Sequence, residues 1–230
     1  MNNQTKISVL MSVYNNESSV AKAIESLLSQ TFENLEILII DDASTDGTYQ
    51  ICKNFSSDNE IIKLFQNDSN IGLTKSLNFL ADKATGDFLA RQDGDDISSP
   101  NRFQSQISSM INNKVHVCTT RAYDLDTKRI LRKYSYYLPS KLLMYFQNPF
   151  IHGTLVIRKN VFMKLSKYNE RFKYAQDFKL FKDLIDNNYK ILTLKEPLYY
   201  LNTKNNISSN RKEEQKYYAD CVIKNIEPKI

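Results

Sequence analysis

The sequence contains no tryptophan and only five glycines, five prolines and two histidines among its 230 residues. The scarcity of glycine bears on phosphate binding, because the common phosphate-binding loops are glycine-rich. Neither a G-x-G-x-x-G fingerprint nor a G-x-x-x-x-G-K-[ST] loop occurs anywhere in the chain. The two commonest glycine-loop modes of binding a dinucleotide or a triphosphate are therefore excluded.

Cysteines and long apolar runs are also scarce. Cys52, Cys118 and Cys221 are odd in number and far apart, so they predict neither a metal site nor a disulfide framework. No apolar run approaches the roughly 20 residues that cross a bilayer. Residues 2–6 are polar and lead directly into an apolar strand pattern, so this segment lacks the apolar core of a signal peptide. We therefore expect a cytoplasmic protein with buried thiols.

The net charge of +5 is divided unevenly along the chain. Residues 1–115 carry nine basic and fifteen acidic side chains, a balance of −6, whereas residues 116–230 carry 22 basic and eleven acidic ones, a balance of +11. A phospholipid surface, a lipid-linked phosphate or a nucleic acid would each be attracted to the basic half, although a solvated surface without a partner fits as well. No nucleic-acid-reading motif is present, so we expect no nucleic-acid partner.

Hydrophobic periodicity predicts an α/β fold. In the first part of the chain, short apolar runs typical of buried strands alternate four times with helical spacing, and the predicted strands are 7–13, 35–40, 61–66 and 88–90. Such alternation is typical of a Rossmann-type, mostly parallel sheet with helices on both faces. The second predicted helix spans about residues 45–56 and the fourth ends near residue 113.

The pattern is less regular after residue 115. Strands are predicted at 115–120, 130–134, 154–157, 191–194 and 198–201, and helices at 139–146, 175–187 and 211–226. We see no internal repeat and no linker. We therefore predict one fused domain, in which residues 1–114 form a regular half, 115–205 a smaller irregular half, and 206–230 a basic C-terminal helix.

Polar clusters follow three of the predicted strands. The clusters are Tyr14–Glu17, Asp41–Asp46 and Asp93–Asp96. Ligands of parallel sheets bind beyond the carboxyl ends of the strands, so a shared binding rim is predicted there. Three carboxylates within Asp93–Asp96 repel one another, and a bound divalent cation with oxygen ligands would offset that repulsion. A solvated acidic turn is the alternative reading of this stretch alone.

Five segments carry a resemblance to a known family: they are Ser8–Asn15, Ile39–Thr48, Asn70–Leu73 with Asn78, Ala90–Asp96 and Gln176–Leu180. In this order they resemble the motifs of the inverting glycosyltransferases of family 2, of the bacterial surface polysaccharide type. The resemblance runs from about Ile7 to Ser208, which is most of the chain. It implies the GT-A fold, with residues 1–114 binding a nucleotide sugar and 115–205 binding the acceptor.

The resemblance also implies roles for residues of the acidic rim. Tyr14 and Asp42 would contact the nucleobase, with Ser12 close by, and Asp93 would lie near the ribose. The resemblance further implies a Mn²⁺ or Mg²⁺ cofactor on the diphosphate, with Asp95 as its ligand and Asp96 beside it. Tyr14 as a strand-end aromatic cap, and Asp41 as a structural cap of the following helix, are the readings without a ligand.

On the acceptor side, the resemblance implies that Asp177 is the general base. A helix-start acid favoured by the dipole is the alternative for Asp177. Asn148 and His152 are acceptor-side candidates. His152 could contact the acceptor or the leaving phosphate, or could equally be a structural loop histidine. Lys75 and Arg91 are candidates for charge compensation at the donor, although surface lysines are usually solvated.

The implied function is transfer of a hexosyl or N-acetylhexosaminyl unit from a nucleotide diphosphate sugar. We expect this donor to be linked to UDP. The acceptor would be a carbohydrate or lipid-linked saccharide in the synthesis of capsule, lipooligosaccharide or another surface glycan. One departure motivates an alternative: the Arg-x-His pair of many family members aligns with Leu201 and Thr203. A non-catalytic nucleotide-sugar-binding or assembly protein of the same fold would tolerate that loss.

The basic C-terminal segment has two readings. Tyr217, Tyr218 and neighbouring lysines would let it rest on an anionic membrane, which implies peripheral association at the inner face of the cell membrane. Packing of the same helix on the body of the domain is the alternative, and we favour it.

Overall fold

The computed structural model describes residues 5–131, 138–204 and 211–229. Its strands form one eight-stranded sheet, and in chain order β1 to β8 are Ile7–Val13, Leu35–Asp41, Ile62–Gln66, Phe88–Asp93, Ile97–Ser98, Val117–Asp124, Val156–Arg158 and Ile191–Leu201. The helices α1 to α8 are Val20–Leu28, Thr48–Asp58, Leu73–Lys83, Arg102–Asn112, Ser140–Leu143, Lys159–Lys164, Gln176–Asp186 and Lys212–Lys224, with a 3₁₀ turn at His152–Thr154. The predicted α/β fold is confirmed.

The first half of the sheet is parallel. Strand β1 lies between β2 and β4, and β3 pairs with the far side of β2. The register sets Ser12 opposite Ile40 on one side and Asp93 on the other. The carboxyl ends of β1, β2 and β4 therefore meet at one edge of the sheet, as the sequence predicted.

Both faces of these strands are buried, which explains their continuous apolar sequences. Leu10 and Leu38 face one core together with residues of α3 and α7, whereas Val9 and Ile37 face a second core with residues of α1 and α4. Alternate side chains of one strand thus enter different cores because the side-chain period of a strand is two. Helices consequently cover both faces of the sheet.

The second half of the sheet departs from the predicted elements. The two short strands predicted at 191–194 and 198–201 are wrong, because residues 191–201 form the single strand β8. Pro197 pairs with Arg121 across a register shift, where a residue without an N–H donor is tolerated. The strand predicted at 154–157 begins as the 3₁₀ turn, and β7 follows from residue 156.

Two further predicted elements are shorter or only partly described. The helix predicted at 139–146 is limited to α5. Of the strand predicted at 130–134, Ile130 makes an isolated bridge to Tyr123, and residues 132–134 lie outside the described residues.

One sheet crosses the predicted boundary at residue 115. Strand β4 pairs with β7, and β5 pairs with β8, in both cases antiparallel.

At the C-terminus, α8 buries Cys221 and Val222 in the core, and its Tyr218 ring contacts Phe172. Helix α8 thus packs against the body of the domain. In the part of the chain that the structure describes, no helix combines the length and apolarity needed to span a bilayer.

Candidate active site

The loops after β1 and β2 are tied together at the carboxyl edge of the sheet. The Asn15 N–H donates to Ser44 Oγ at 3.0 Å, and the Thr45 N–H donates to Asn15 Oδ1 at 2.9 Å. Asn15 has a φ of 51°, which its short polar side chain tolerates better than most residues. Next to this tie the Tyr14 side chain is 46% exposed, whereas Ser12 is half-buried. Tyr14 is therefore accessible to a planar ligand at the edge of the sheet.

Asp42 organises the loop that precedes α3. Its Oδ2 accepts the Gly72 N–H at 2.9 Å, and its Oδ1 accepts the Ile71 N–H at 2.9 Å and the Asn67 side-chain amide at 2.8 Å. Gly72 has a φ of 89°, a conformation that favours glycine. Asp42 thus shapes the rim through this loop, and its contact with a nucleobase stays a prediction.

The reading of Asp41 as the cap of α2 is wrong. Asp41 Oδ2 accepts the Ser44 N–H at 3.2 Å, within the loop before the helix. The amide of Thr48, the first residue of α2, donates instead to Asp46 Oδ1 at 3.0 Å. The sequence suggested Asp41 as the cap because both Asp41 and Asp46 lie shortly before the helix. Only Asp46 is close enough to accept a hydrogen bond from its first turn.

The carboxylates of the acidic cluster differ in accessibility. Asp93 is 30% exposed and accepts a hydrogen bond from the buried Arg91 guanidinium, which also donates to two main-chain carbonyls. Asp95 is half-buried, and Asp96 is only 2% exposed. Burial, followed by the charge of Asp93, raises the pKa of Asp95. Burial raises the pKa of Asp96 well above its ordinary value, and the charges of Asp93 and Asp95 add to the effect.

The cluster therefore places three carboxylates close together where burial disfavours their joint ionisation. A bound cation would relieve the repulsion among them, and an all-oxygen donor set suits a hard divalent cation. The residues present therefore fit Mg²⁺ or Mn²⁺. Among the described residues, no three His, Cys, Asp or Glu side chains are arranged to coordinate a metal ion by themselves.

Asn202 reaches the acidic cluster from the end of β8. Its side-chain amide donates to Asp95 Oδ2 at 3.1 Å, and its N–H donates to Asp96 Oδ1 at 2.7 Å. Thr203 bonds Asp124 instead, at 2.5 Å. The missing Arg-x-His pair aligns with Leu201 and Thr203, and Asn202, which was not predicted as a site residue, lies between them. The alignment nevertheless pointed to the correct segment, because this segment lies beside the carboxylates.

Arg102 is a second residue that the sequence reasoning overlooked. It is fully buried at the start of α4, and burial lowers its pKa to about 10. Its guanidinium lies 4.8 Å from the Tyr199 ring centroid and donates to buried oxygens of four elements around the cluster, namely Gln92 Oε1, Ser98 Oγ, Gln106 Oε1 and the carbonyls of Arg91 and Gly153. The Tyr199 hydroxyl in turn bonds Asp96 and accepts the Asp93 N–H at 3.2 Å. Arg102 therefore connects the cluster to β8 and the 3₁₀ turn.

We expect Arg102→Met to lower the free energy of unfolding by about 3–5 kcal/mol, because it leaves several buried acceptors unpaired. Urea unfolding followed by circular dichroism measures the loss. Arg171→Met is the matched control, since Arg171 is exposed and pairs only with Glu227 in the described chain. A loss for Arg102→Met no larger than that for Arg171→Met would contradict this role.

Asp177 lies in the first turn of α7, and this helix begins directly after Ala175, which has the left-handed conformation. The Asn148 side-chain amide donates to Asp177 Oδ2 at 2.7 Å. This bond orients the carboxylate, because the amide N–H donates and the carboxylate oxygen accepts. Two of the predicted acceptor-side residues are thereby brought together.

His152 is turned toward the protein. Its Nε2 lies 2.6 Å from the Tyr168 hydroxyl, and burial, followed by the positive charge of Arg91, lowers its pKa well below the ordinary value. A neutral imidazole bonded to Tyr168 favours the structural reading of His152. Burial also raises the pKa of Tyr168, and the charges of Asp177 and Asp93 both contribute. Tyr168 thus lies within electrostatic range of both Asp93 and Asp177.

Lys75 is exposed on the first turn of α3. In the described ranges, no ion pair joins it to the acidic cluster. Lys75 is therefore not held in place for its predicted contact with a donor. Arg91, by contrast, is held in place by its bond to Asp93.

Known proteins resemble this chain in sequence and in fold. The family model described as glycosyl transferase family 2 matches residues 8–182. The chain belongs to glycosyltransferase family 2. It is 35% identical over 208 residues to EpsE of Bacillus subtilis, covering 86% of this chain and 73% of EpsE. It is 28% identical over 225 residues to the O-antigen biosynthesis glycosyltransferase WbnJ of Escherichia coli, covering 94% of this chain and 85% of WbnJ.

Solved structures confirm the fold that the family implies. TarS 1-349 of S. aureus, in complex with UDP, superposes with a TM-score of 0.75 at 21% identity, over 95% of this chain and 64% of that one. The mannosyltransferase PcManGT of Pyrobaculum calidifontis, in complex with GDP-Man and Mn²⁺, gives a TM-score of 0.75 at 15% identity, over 94% of this chain and 62% of that one. The chain therefore has a GT-A-like fold and spans under two thirds of these two neighbours.

Proposed function

We propose that this family 2 chain is an inverting, metal-assisted transferase that moves a sugar from a UDP-linked donor to a saccharide acceptor. The observation that carries the proposal is the pairing of two carboxylate sites. The acidic cluster Asp93–Asp96 begins at the last residue of β4, and Asp177 lies in the first turn of α7, with Tyr168 in electrostatic range of Asp93 and Asp177. One site suits a diphosphate with its cation, and the other suits the acceptor hydroxyl.

The donor would lie along the carboxyl edge of the sheet. In this proposal Tyr14 and Asp42 contact the nucleobase, Ser12 lies beside them, and Asp93 bonds the ribose. Arg91 and Lys75 offset the negative charge of the diphosphate. Support for a UDP-linked donor comes from TarS, a solved neighbour in complex with UDP.

Asp95 would ligate Mn²⁺ or Mg²⁺, and Asp96 would stand beside it and hold the Asn202 segment in place. A Mg²⁺ ion commonly takes one or two carboxylates and completes its shell with phosphate oxygens and water. The cluster, in which Asp95 is the more accessible of the two, fits that pattern. When bound, the cation neutralises the charge that develops on the leaving diphosphate. PcManGT, a solved neighbour in complex with GDP-Man and Mn²⁺, supports this expectation.

Asp177 would act as the general base. A sugar hydroxyl is a poor nucleophile until its proton is removed, and a positioned carboxylate can accept that proton. The Asn148 amide keeps Asp177 oriented, at 2.7 Å. A single base and a single in-line attack invert the configuration at the anomeric carbon, in contrast to the double displacement of retaining glycosidases.

We propose a lipid-linked saccharide of a surface glycan as the acceptor. Large apolar side chains are exposed shortly before Asn148, on and beside α5: they are Leu138, Leu142, Tyr145 and Phe146. The Phe146 side chain is 72% exposed, and such a group suits contact with a lipid or a membrane surface. The likeness to WbnJ, whose name refers to O-antigen biosynthesis, supports a surface glycan as the product.

A donor screen tests this function. Release of nucleoside diphosphate is measured over UDP-hexoses, UDP-N-acetylhexosamines and GDP-mannose, with Mn²⁺, with Mg²⁺ and with a chelator. We expect turnover of a UDP-linked donor that the chelator abolishes. UDP binding in calorimetry without turnover of any donor, across lipid-linked and soluble acceptors, would instead favour the non-catalytic binding or assembly protein.

A further inference from the structure

A cleft lies near the amino end of β4, at the opposite end of that strand from the acidic cluster. It has a volume of about 500 Å³, and its polar lining consists of Lys114, His116, Arg158, Asn160, Lys164 and Tyr189. Among the described residues that line the cleft, none carries a carboxylate. Three permanent cations, an imidazole, an amide and a phenol therefore face one space.

This basic cleft is separate from the acidic cluster. Arg158 pairs with Phe88 at the amino end of β4, whereas the acidic cluster begins at Asp93 at the carboxyl end. Five residues of extended strand correspond to about 17 Å. A ligand in the basic cleft therefore does not share the donor's position.

Arg158 is held in place, and the cations of the cleft are not neutralised. The Arg158 guanidinium lies 5.0 Å from the Phe88 ring centroid, and its Nε donates to the Val115 carbonyl at 3.3 Å. In the part of the chain with described structure, none of Lys114, Arg158 and Lys164 forms an ion pair. Positive charges grouped without a counter-charge repel one another, and a bound anion would remove that repulsion.

His116 reports the same imbalance. Its Nδ1 accepts the Lys190 N–H at 3.1 Å, so the proton of the neutral ring is on Nε2, a further donor. Burial and then the positive charges of Arg158 and Lys190 lower the pKa of His116. An anion beside the ring would oppose that effect.

We propose that the basic cleft binds a phosphate-bearing anion at a site distinct from that of the nucleotide-sugar donor. A phosphate accepts several hydrogen bonds at once, and arginine and lysine supply the charge-assisted donors that it prefers. Either a soluble phosphate compound or the headgroup of an anionic phospholipid offers this chemistry. The proposal does not depend on the proposed function, because no residue of the cleft belongs to the acidic cluster or the Asp177 site.

The chain has only two histidines, and each reports on one site. His116 lines the basic cleft, and His152 lies beside Tyr168 near Asp177. Histidine NMR during titration with inorganic pyrophosphate, in the presence of a chelator, therefore separates the two. We expect saturable shifts of the His116 resonance, with a raised pKa of its ring, while the His152 resonance stays in place. His116→Gln assigns the signals.

Lys164→Glu should weaken pyrophosphate binding by about tenfold, since it removes a charge-assisted contact and adds repulsion. Lys164 is exposed, so the fold is expected to persist, which circular dichroism checks. Lys53→Glu is the matched control, because Lys53 is an exposed lysine of α2, at the β2–β3 end of the sheet. Equal weakening by both variants would overturn the proposal, since it would indicate net charge alone.

Vesicles distinguish the source of the phosphate. Sedimentation with phosphatidylcholine vesicles containing phosphatidylglycerol, but not with phosphatidylcholine alone, and its loss in Lys164→Glu but not in Lys53→Glu, would assign the cleft to a lipid headgroup. Pyrophosphate shifts without vesicle binding would assign it to a soluble phosphate. A His116 resonance that neither pyrophosphate nor the phosphatidylglycerol vesicles move would overturn the proposal.

Discussion

Asp177→Asn is expected to lower the rate of sugar transfer by about a thousandfold while leaving the affinity for UDP unchanged. Positioned general bases contribute about 10²- to 10⁴-fold to a rate, and an amide cannot accept the hydroxyl proton. The asparagine side chain keeps the size of aspartate and an oxygen that can accept the Asn148 amide, now 2.7 Å from Asp177 Oδ2. The variant therefore removes proton transfer with little change in shape.

The same helix supplies the control for this variant. Asp186 ends α7, where it forms an exposed ion pair with Lys182, and Asp186→Asn makes the identical chemical change there. Nucleoside diphosphate release with acceptor, set beside UDP binding by calorimetry, measures both effects. Transfer by Asp177→Asn above about a tenth of the wild-type rate would rule out a general base of ordinary strength.

Loss of stability is the main competing explanation, since an acid in the first turn of a helix stabilises it by about 0.3–1 kcal/mol through the dipole. A thermal melt of Asp177→Asn addresses it. A purely structural role would lower the melting temperature and spare the rate at temperatures well below it. Loss of a general base would lower the rate and leave the melting temperature unchanged.

The regular half of the fold could be read from the sequence because its signals are local. Strands such as Ile7–Val13 are buried on both faces, so their apolar runs need no information from distant residues. The acidic cluster was equally visible, because its carboxylates are adjacent in sequence and follow such a run.

The residues that complete the site were missed because distant contacts place them. Asn202 meets Asp95 and Asp96 across more than one hundred residues, through the pairing of β5 with β8. Arg102 looks like an ordinary helix-start arginine until the carbonyls of Arg91 and Gly153 are folded around it. No periodicity carries that information.

Strand β8 shows why the irregular half resisted prediction. Its apolar pattern is interrupted by Lys195, Glu196 and Pro197, which indicated a break between two short strands. In the fold the interruption is a register shift against β6, and the pairing resumes beyond it. Only the partner strand determines whether such an interruption ends a strand or bends it.

Asp95→Asn should abolish the metal dependence of the reaction and lower the rate with Mn²⁺ by about 10²- to 10³-fold, the usual loss when one stabilising group at a developing charge is removed. An amide is a weaker ligand than a carboxylate for a hard cation. Burial and the charge of Asp93 raise the pKa of Asp95, so the protein already disfavours the charge that the substitution removes. We therefore expect no loss of stability. Mn²⁺ titration followed by electron paramagnetic resonance measures the affinity directly.

Asp96→Asn separates the two roles proposed within the cluster. Asp96 accepts the Asn202 N–H at 2.7 Å and bonds the Tyr199 hydroxyl, so its replacement disturbs the packing of the segment after β8. If Asp95 is the ligand and Asp96 its support, Asp95→Asn weakens Mn²⁺ binding more, and Asp96→Asn lowers the melting temperature more. Asp58→Asn, an exposed acid at the end of α2, should change neither. Mn²⁺ binding that survives Asp95→Asn intact would move the cation away from this cluster, and with it the proposed means of stabilising the leaving diphosphate.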